Sequence, residues 1–222
     1  MKTNYLFATT LSIVWLAASL ITAEYALPNQ GASDNLVVDP PKKATTYTVN
    51  PEQSAMTWNA RKIGGEHNGI IKLAKGELTL DGAKLTGGNF LADMTTMRDT
   101  DKSEPNERLM KHLKSDDFFG VEKNPTSAFK ITKVTPIRGA KDGEANFTVN
   151  GDLTIKGITK PQSFPAVVKV TGNAVEATAK LAINRIDYDI KYRAALIGTA
   201  ADKIIEDTFS LDLKIVAGKV SL

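Results

Sequence analysis

The stretch QSFPAVVKVTGNAVEATAKLAI, residues 162–183, decides the fold class of this 222-residue chain. Apolar and polar residues alternate on both sides of Gly172-Asn173, and this period of two places every second side chain on one face of a strand. Gly-Asn tolerates positive φ and is a hairpin signal. The pattern predicts two antiparallel strands, Gln162–Val170 and Ala174–Ile186.

The same alternation continues outward along the chain and predicts six more long strands. They are Ala55–Ile63, Ile70–Leu80, Lys84–Met97, Ala128–Val134, Ala145–Ile155 and Asp207–Val216, with a short lead-in at Tyr47–Val49. A change of phase around Gly76 predicts a bulge. One stretch, Glu104–Lys114, is typical of a helix, with Ser103 as its N-cap and Pro105 in its first turn.

Eight long antiparallel strands need their edges covered, and closure of the sheet is the usual solution. Since β and α segments do not alternate, a parallel sheet is not expected. The chain is therefore predicted to be all-β, an eight-stranded antiparallel lipocalin-like barrel with one short helix in a loop. Such a barrel either fills its interior with side chains or holds one small ligand, and the apolar pattern alone leaves both open.

The composition excludes several kinds of chemistry. The chain has no cysteine and two histidines, so thiol catalysis, zinc ribbons and histidine-rich metal sites have too few ligands. The basic residues are scattered along the chain and the net charge is only +3, which does not indicate nucleic-acid binding. Because the standard hydrolase, metalloprotease and nucleotide motifs are missing, we predict no catalytic site, no metal and no cofactor.

The N-terminal region predicts export. Residues 1–23 contain Lys2 followed by a largely apolar run without charge, which is typical of a secretory signal peptide cleaved after Ala23. An uncleaved membrane anchor is the alternative. Residues 24–45 lack periodicity and contain Pro40-Pro41, so they are predicted to be a flexible linker. The barrel is then expected over residues 46–218.

Two longer blocks carry a resemblance to a known family. They are ERLMKHLKSDDFF (107–119) with EKNPTSAFKI (122–131), and VNGDLTIKGITKP (149–161). Together with shorter matches in the same order, they resemble the YceI-like family, the lipocalin-like polyisoprenoid-binding proteins of the bacterial periplasm. The resemblance covers about residues 47–217, and the loop 193–203 departs from it.

The resemblance implies a periplasmic protein that binds and carries or stores an isoprenoid, a quinone-like lipid or a related amphiphile inside the barrel. It also implies a possible homodimer, while the small positive charge is compatible with work near a membrane. Two alternatives remain. One is an enzyme acting on a lipid-like substrate through rim groups such as His112, Arg185 or Asp187, and the other is a solid-core structural or stress protein.

The candidate ligand-binding residues come from the inward strand faces, from the block 107–119 and from the family match at Arg185. They are Met56, Trp58, Leu73, Phe90, Met94, Phe118, Phe119, Phe129, Phe147, Leu153, Ile155, Leu181, Ile183, Arg185, Phe209 and Leu211. Arg185 is expected to meet either a ligand head group or a carboxylate at the rim. His112 is expected to make a local structural bond, and His67 to serve a turn. The acidic residues Asp99, Asp101 and Glu104 are expected to be solvated.

Overall fold

The structure, a computed structural model, describes residues 44–104 and 106–219. The predicted signal peptide, nearly all of the predicted linker, and Pro105 lie outside the described residues. Each remains a prediction from the sequence.

Nine strands and one α-helix make up the described part of the chain. The strands are β1 (Thr45–Val49), β2 (Ala55–Lys62), β3 (Gly65–Asp81), β4 (Lys84–Asp99), β5 (Thr126–Pro136), β6 (Phe147–Ile155), β7 (Ile158–Thr171), β8 (Ala174–Asn184) and β9 (Ile205–Lys219). Helix α1 is Glu107–Lys114, and short 3-10 helices lie at Arg185–Tyr188, Ala195–Ile197 and Ala201–Lys203. Within the described ranges, no helix combines the length and the hydropathy that crossing a bilayer requires.

The strands form a single closed antiparallel sheet. Its order is β1-β3-β2-β9-β8-β7-β6-β5-β4, and β3 also pairs with β4 and completes the circle. Both β1 and β2 lie between β3 and β9, where Thr45 is opposite Leu80 and Thr57 is opposite Ile70. They are thus two pieces of one interrupted wall strand. The predicted eight-stranded antiparallel barrel with one short helix is confirmed.

Alternation along the strands determines which side chains face inward. In β8, Val175, Leu181 and Ile183 are buried, whereas Glu176 and Lys180 are exposed. The irregularity expected around Gly76 lies slightly earlier, where the β3–β4 register shifts between Leu73 and Lys75. The period of two in the sequence therefore reports the inward face correctly except where a bulge changes the phase.

Several predicted boundaries were wrong. Helix α1 begins at Glu107 with Asn106 as its N-cap, not Ser103, because the Asn106 side chain accepts a hydrogen bond from the Leu109 N–H at 3.1 Å. Strand β8 ends at Asn184 rather than Ile186, because the Asn184 side chain accepts from the Ile186 N–H and starts the first 3-10 helix.

Strand β7 begins earlier than predicted, at Ile158, although it contains two prolines. Pro161 and Pro165 lie in the half of β7 that pairs with β6 alone, since pairing with β8 starts at Ala166. The other edge of this half of β7 has no partner strand, so a proline there, which lacks an N–H, removes no hydrogen bond from a strand pairing. The first 3-10 helix lies beside this half, where the Gln162 side chain donates to the hydroxyl of the fully buried Tyr188 at 3.1 Å.

Antiparallel pairing gives the barrel two different ends. The hairpin end carries the tight β3–β4 and β7–β8 turns and the β5–β6 loop, and the α1 end carries the helix and the long β8–β9 connection. The side chains at the hairpin end are tightly buried, with Leu80 and Val175 fully enclosed and Val49 and Ala217 nearly so. This end of the interior is a packed core.

Candidate functional site: an apolar cavity inside the barrel

A cavity of about 180 Å³ lies inside the barrel. It exceeds the roughly 150 Å³ apolar space that is enough to bind a benzene-sized molecule. Its wall is built from the inward faces of the strands and from the α1 end, and almost every lining side chain is apolar. The polar residues of the wall are Ser127, Thr178, Arg185 and Glu206. The interior is thus not the solid core that one alternative required.

All but two of the predicted ligand-binding residues lie on the cavity wall. Those on the wall are Met56, Trp58, Leu73, Phe90, Met94, Phe118, Phe119, Phe129, Leu153, Ile155, Leu181, Arg185, Phe209 and Leu211. Phe147 and Ile183 do not line the cavity. Phe147 is the first residue of β6, at the packed hairpin end, and Ile183 is fully buried just before the first 3-10 helix. Both belong to the buried core, and a role for them in ligand binding stays a prediction.

The wall also contains residues that the sequence reading missed. Phe164 and Ala166 continue the alternation of Val168 backward along β7, so the period of two could have found them. The prediction missed Met97 because the β3–β4 register shifts near it. At this shift the Lys72 N–H of β3 donates a hydrogen bond to the Thr96 hydroxyl of β4. Ile190 lies in the long β8–β9 connection and Ile205 is the first residue of β9. Neither position carries a periodic signal in the sequence.

An aromatic cluster closes over the α1 end of the cavity. The ring of His112 packs edge-on against Phe118 and Tyr192, with centroids 4.9 Å and 4.6 Å apart. His112 Nε2 lies 3.4 Å from a carboxylate oxygen of Asp117. Phe119 packs edge-on against Phe209 at 6.2 Å. Phe118 and Phe119 line the cavity and contact Tyr192 and Phe209, and His112 makes the local contacts expected of it.

Arg185 is a structural crosslink. It is 4% exposed, and all five of its N–H donors are occupied. Nε donates to the carbonyl of Glu206, Nη1 to those of Ile190 and Tyr192, and Nη2 to the carbonyl of Ile205 and the carboxylate of Asp207. Burial lowers the pKa of the guanidinium, and the charge of Asp207 opposes that shift. No donor is left for a pyrophosphate or quinone head, so the ion-pair alternative is the one that the geometry favours.

The acidic residues at the end of β4 and just after it do not share one environment. Asp101 accepts hydrogen bonds from Nδ1 of His67 and from the Asn68 N–H, both at 2.7 Å. Glu104 is exposed, as expected. Asp99, however, is 3% exposed, so the expectation that it is solvated was wrong. Its Oδ2 accepts the Asn106 N–H at 2.6 Å and holds the start of α1 against β4.

The rim groups considered for an enzyme do not come together. His112 contacts Asp117, Arg185 is fully engaged, and Asp187 is exposed. Among the described residues, no hydrogen bond or ion pair joins any two of His112, Arg185 and Asp187. The three rim groups therefore do not form one cluster.

The fold is a closed antiparallel β-barrel with an apolar interior cavity, and sequence comparison identifies its family. Residues 47–217 match the family model of the YceI-like domain. The chain therefore belongs to the YceI-like domain family. A UPF0312 protein of Shewanella denitrificans is 28% identical to it over 152 residues, which cover 68% of this chain and 71% of that protein.

Solved structures share the fold at low sequence identity. Burkholderia cenocepacia BcnA has a TM-score of 0.62 and 19% identity, covering 76% of this chain and 99% of BcnA. A polyisoprenoid binding domain from Saccharophagus degradans, described as implicated in plant cell wall breakdown, has a TM-score of 0.56 and 12% identity. That match covers 79% of this chain and 99% of the domain. At these identities the likeness establishes the fold.

Proposed function

We propose that this protein binds an isoprenoid or a related amphiphilic lipid in the barrel cavity and carries or stores it outside the cytoplasm. The observation that carries the proposal is the cavity itself, whose wall is apolar along β2–β9. Each buried methylene contributes about 0.8 kcal/mol, so about ten of them supply a gross term of about 8 kcal/mol before ordering costs. The wall would select ligands by their chain length and shape.

Two further observations support a binding protein rather than an enzyme. The Saccharophagus degradans neighbour is named a polyisoprenoid binding domain, and its fold covers most of this chain. The charged group of the wall with the greatest burial, Arg185, spends its donors on the chain itself. A quinone-like ligand, proximity to a membrane and a homodimer stay predictions of the family resemblance.

The location outside the cytoplasm rests on the sequence of residues 1–23. We propose export to the periplasm, with cleavage after Ala23. Fractionation of the native host with mass measurement of the mature chain tests this. A periplasmic chain that begins at Glu24 is expected, whereas a chain of full mass in the cytoplasm would contradict the proposal.

Native mass spectrometry of the full chain with an added C15 isoprenoid hydrocarbon, farnesene, tests the binding. We expect one ligand per chain, because the cavity is a single continuous space. Undecane-1,11-diol, which has polar groups at both ends, is the control and should not compete. The absence of any adduct with farnesene and with longer prenyl compounds would refute the proposal.

A further inference from the structure

The two most exposed large hydrophobic side chains that the structure describes lie at the same end of the barrel. Ile63 is 58% exposed in the turn between β2 and β3, and Ile197 is 54% exposed in the long β8–β9 connection. The β2–β3 turn belongs to the α1 end, because Lys62 just before it is paired with Ile205, the first residue of β9. Ile137, in the β5–β6 loop of the hairpin end, is 36% exposed. Exposed aliphatic side chains are thus concentrated at the α1 end.

The start of β9 holds the two loops side by side. The Ile63 N–H donates to the carbonyl of Ile204 at 3.2 Å. The Ile205 N–H donates to the carbonyl of Arg193 at 3.0 Å, four residues before Ile197. Because two consecutive residues bind both loops, the loops form one surface.

Neither isoleucine is required by the local backbone. Ile63 and Gly64 form a two-residue turn, where glycine, asparagine and aspartate are the favoured residues, and Gly64 supplies the positive φ of 80°. Ile197 ends a 3-10 helix within the loop 193–203, which departs from the family pattern. Burial of such a side chain contributes about 1.5–3 kcal/mol, which both largely forgo in water. Apolar side chains grouped on neighbouring loops indicate an interaction surface.

The cavity ends next to this surface. Ile205 lines the cavity, and it is the residue through which the β8–β9 connection is bound to β9. Phe209, further along β9, is also part of the wall and packs edge-on against Phe119. Apolar side chains therefore run from the cavity to the two loops that carry the exposed isoleucines.

The two loops, residues 61–66 and 191–204, are here called the docking face, and they are positively charged. They contain five basic and two acidic residues, so their net charge is +3. Arg61 pairs with Glu66 at 3.4 Å, and Lys191 pairs with Asp189, just outside the face, at 2.6 Å. The other charged residues of the face, which form no ion pair among the described residues, are Lys62, Arg193, Lys203 and Asp202. Three unpaired cations thus surround the isoleucines, with one unpaired acid.

We propose that the docking face binds the surface of a bilayer that contains anionic lipids. Ile63 and Ile197 enter the apolar interface, while the unpaired cations lie at the lipid phosphates. The inference rests on the proposed function for its purpose, since the docked end is the one at which lipid passes between bilayer and cavity. A second copy of the chain fits less well, because a symmetric contact would bring two positive faces together.

Fluorescent labels at the two ends of the full chain test the orientation. The chain contains no cysteine, so one introduced cysteine can carry the environment-sensitive fluorophore NBD. Ala200→Cys labels an exposed position of the docking face, and Ala83→Cys labels the exposed β3–β4 turn of the hairpin end. With vesicles of phosphatidylcholine and phosphatidylglycerol, emission at position 200 should shift to shorter wavelength and emission at position 83 should not. No shift at position 200, or equal shifts at both positions, would overturn the inference.

The two labels also distinguish docking from attachment through the N-terminal region. Residues 1–23 join the barrel through β1, whose Thr45 is opposite Leu80 at the hairpin end. Attachment through them alone would give position 200 no advantage over position 83.

Variants of the Ala200→Cys chain identify the groups that dock. Ile63→Ser combined with Ile197→Ser should raise the lipid concentration that gives half of the shift by about tenfold, because two aliphatic side chains no longer enter the interface. Ile137→Ser, at the hairpin end, is the matched control and should leave it unchanged. Vesicles without phosphatidylglycerol should raise it by at least about tenfold, since the cations lose their partners. Equal values for the double variant and the control would overturn the inference.

Two further outcomes separate the docking face from its alternative and from the proposed function. A shift that grows with protein concentration in the absence of vesicles would assign the face to a second copy and overturn bilayer docking. Farnesene binding by a chain whose label at position 200 does not respond to vesicles would overturn docking and leave the proposed function standing. Docking by a chain that binds no prenyl compound would refute the proposed function and leave the docking face standing.

Discussion

Nη1 of Arg185 donates a hydrogen bond of 2.6 Å to the carbonyl of Ile190, five residues further along the chain. Ile190 lines the cavity and is 1% exposed. The guanidinium therefore joins the turn after β8 to the cavity wall and, through the carbonyls of Ile205 and Glu206, to the start of β9. One cation organises the α1 end of the barrel.

Arg185→Lys should destabilise the fold, although the charge is kept. An ammonium has three donors, so at least two of the five hydrogen bonds are lost and buried carbonyls remain unpaired. We expect the free energy of unfolding to fall by about 3 kcal/mol in urea denaturation. Arg138→Lys, at an exposed position, should change it by less than about 0.5 kcal/mol. Equal effects of the two variants would show that the crosslink does not stabilise the barrel.

The pair of His67 and Asp101 should make part of the stability depend on pH. Burial raises the pKa of Asp101, but hydrogen bonds from His67 and Asn68 and the charge of His67 outweigh it, so the pKa lies below its ordinary value. A carboxyl with a lowered folded pKa stabilises the fold above its unfolded pKa, and this stabilisation is lost as pH falls through the folded pKa.

Asp101→Asn should therefore lower the free energy of unfolding by about 0.5–1 kcal/mol at neutral pH. Its effect should shrink below about pH 4, where the wild-type carboxyl also becomes protonated. Urea denaturation of both chains across the acidic range measures this. A loss in Asp101→Asn that stays constant down to about pH 2 would contradict the pairing.

Filling the cavity should remove binding without unfolding the barrel. Ala179 lines the cavity on β8, so Ala179→Phe places a ring in the space that the ligand needs. We expect the affinity for farnesene to fall more than tenfold while the melting temperature is maintained, since the added ring enters existing space. Ala182→Phe makes the same change on the exposed face of β8 and should bind as the wild type does. Full affinity in Ala179→Phe would place the ligand elsewhere.

A charged side chain on the cavity wall should also prevent ligand binding, through its desolvation cost rather than by filling the space. Phe90 lines the cavity with its ring 6.5 Å from that of Phe129. Phe90→Asp should abolish binding of a hydrocarbon, because a carboxylate in an apolar site carries a large desolvation cost. Asn89→Asp, at the exposed neighbouring position, should bind normally. Circular dichroism separates lost binding from lost folding, and hydrocarbon binding by a folded Phe90→Asp chain would exclude this wall as the site.

Much of the barrel follows from the sequence because its signal is local. Val175, Leu181 and Ile183 lie six and two positions apart, and a strand places residues at such even spacings on one face, which is buried here. The same signal identified most of the predicted ligand-binding residues that lie on the cavity wall. It did not distinguish Phe147, in the packed hairpin end, from Phe129, on the wall, because both face inward and differ in their height along the barrel axis.

Other features depend on contacts that are remote in sequence. The burial of Asp99 depends on the N-cap of α1, where the Asn106 N–H donates to its carboxylate, and an aspartate near the end of a predicted strand usually indicates a solvated loop. The five acceptors of Arg185 come from two separate segments. One arginine in a sequence does not reveal where those carbonyls will lie.

The most direct test of lipid binding is what the protein carries when it is purified from its native host. Extraction of the purified chain with organic solvent, followed by mass spectrometry, should recover a prenyl lipid at about one molecule per chain, and Ala179→Phe prepared in the same way should yield little. Recovery of no lipid from the wild type, together with no binding of added prenyl compounds, would contradict the account.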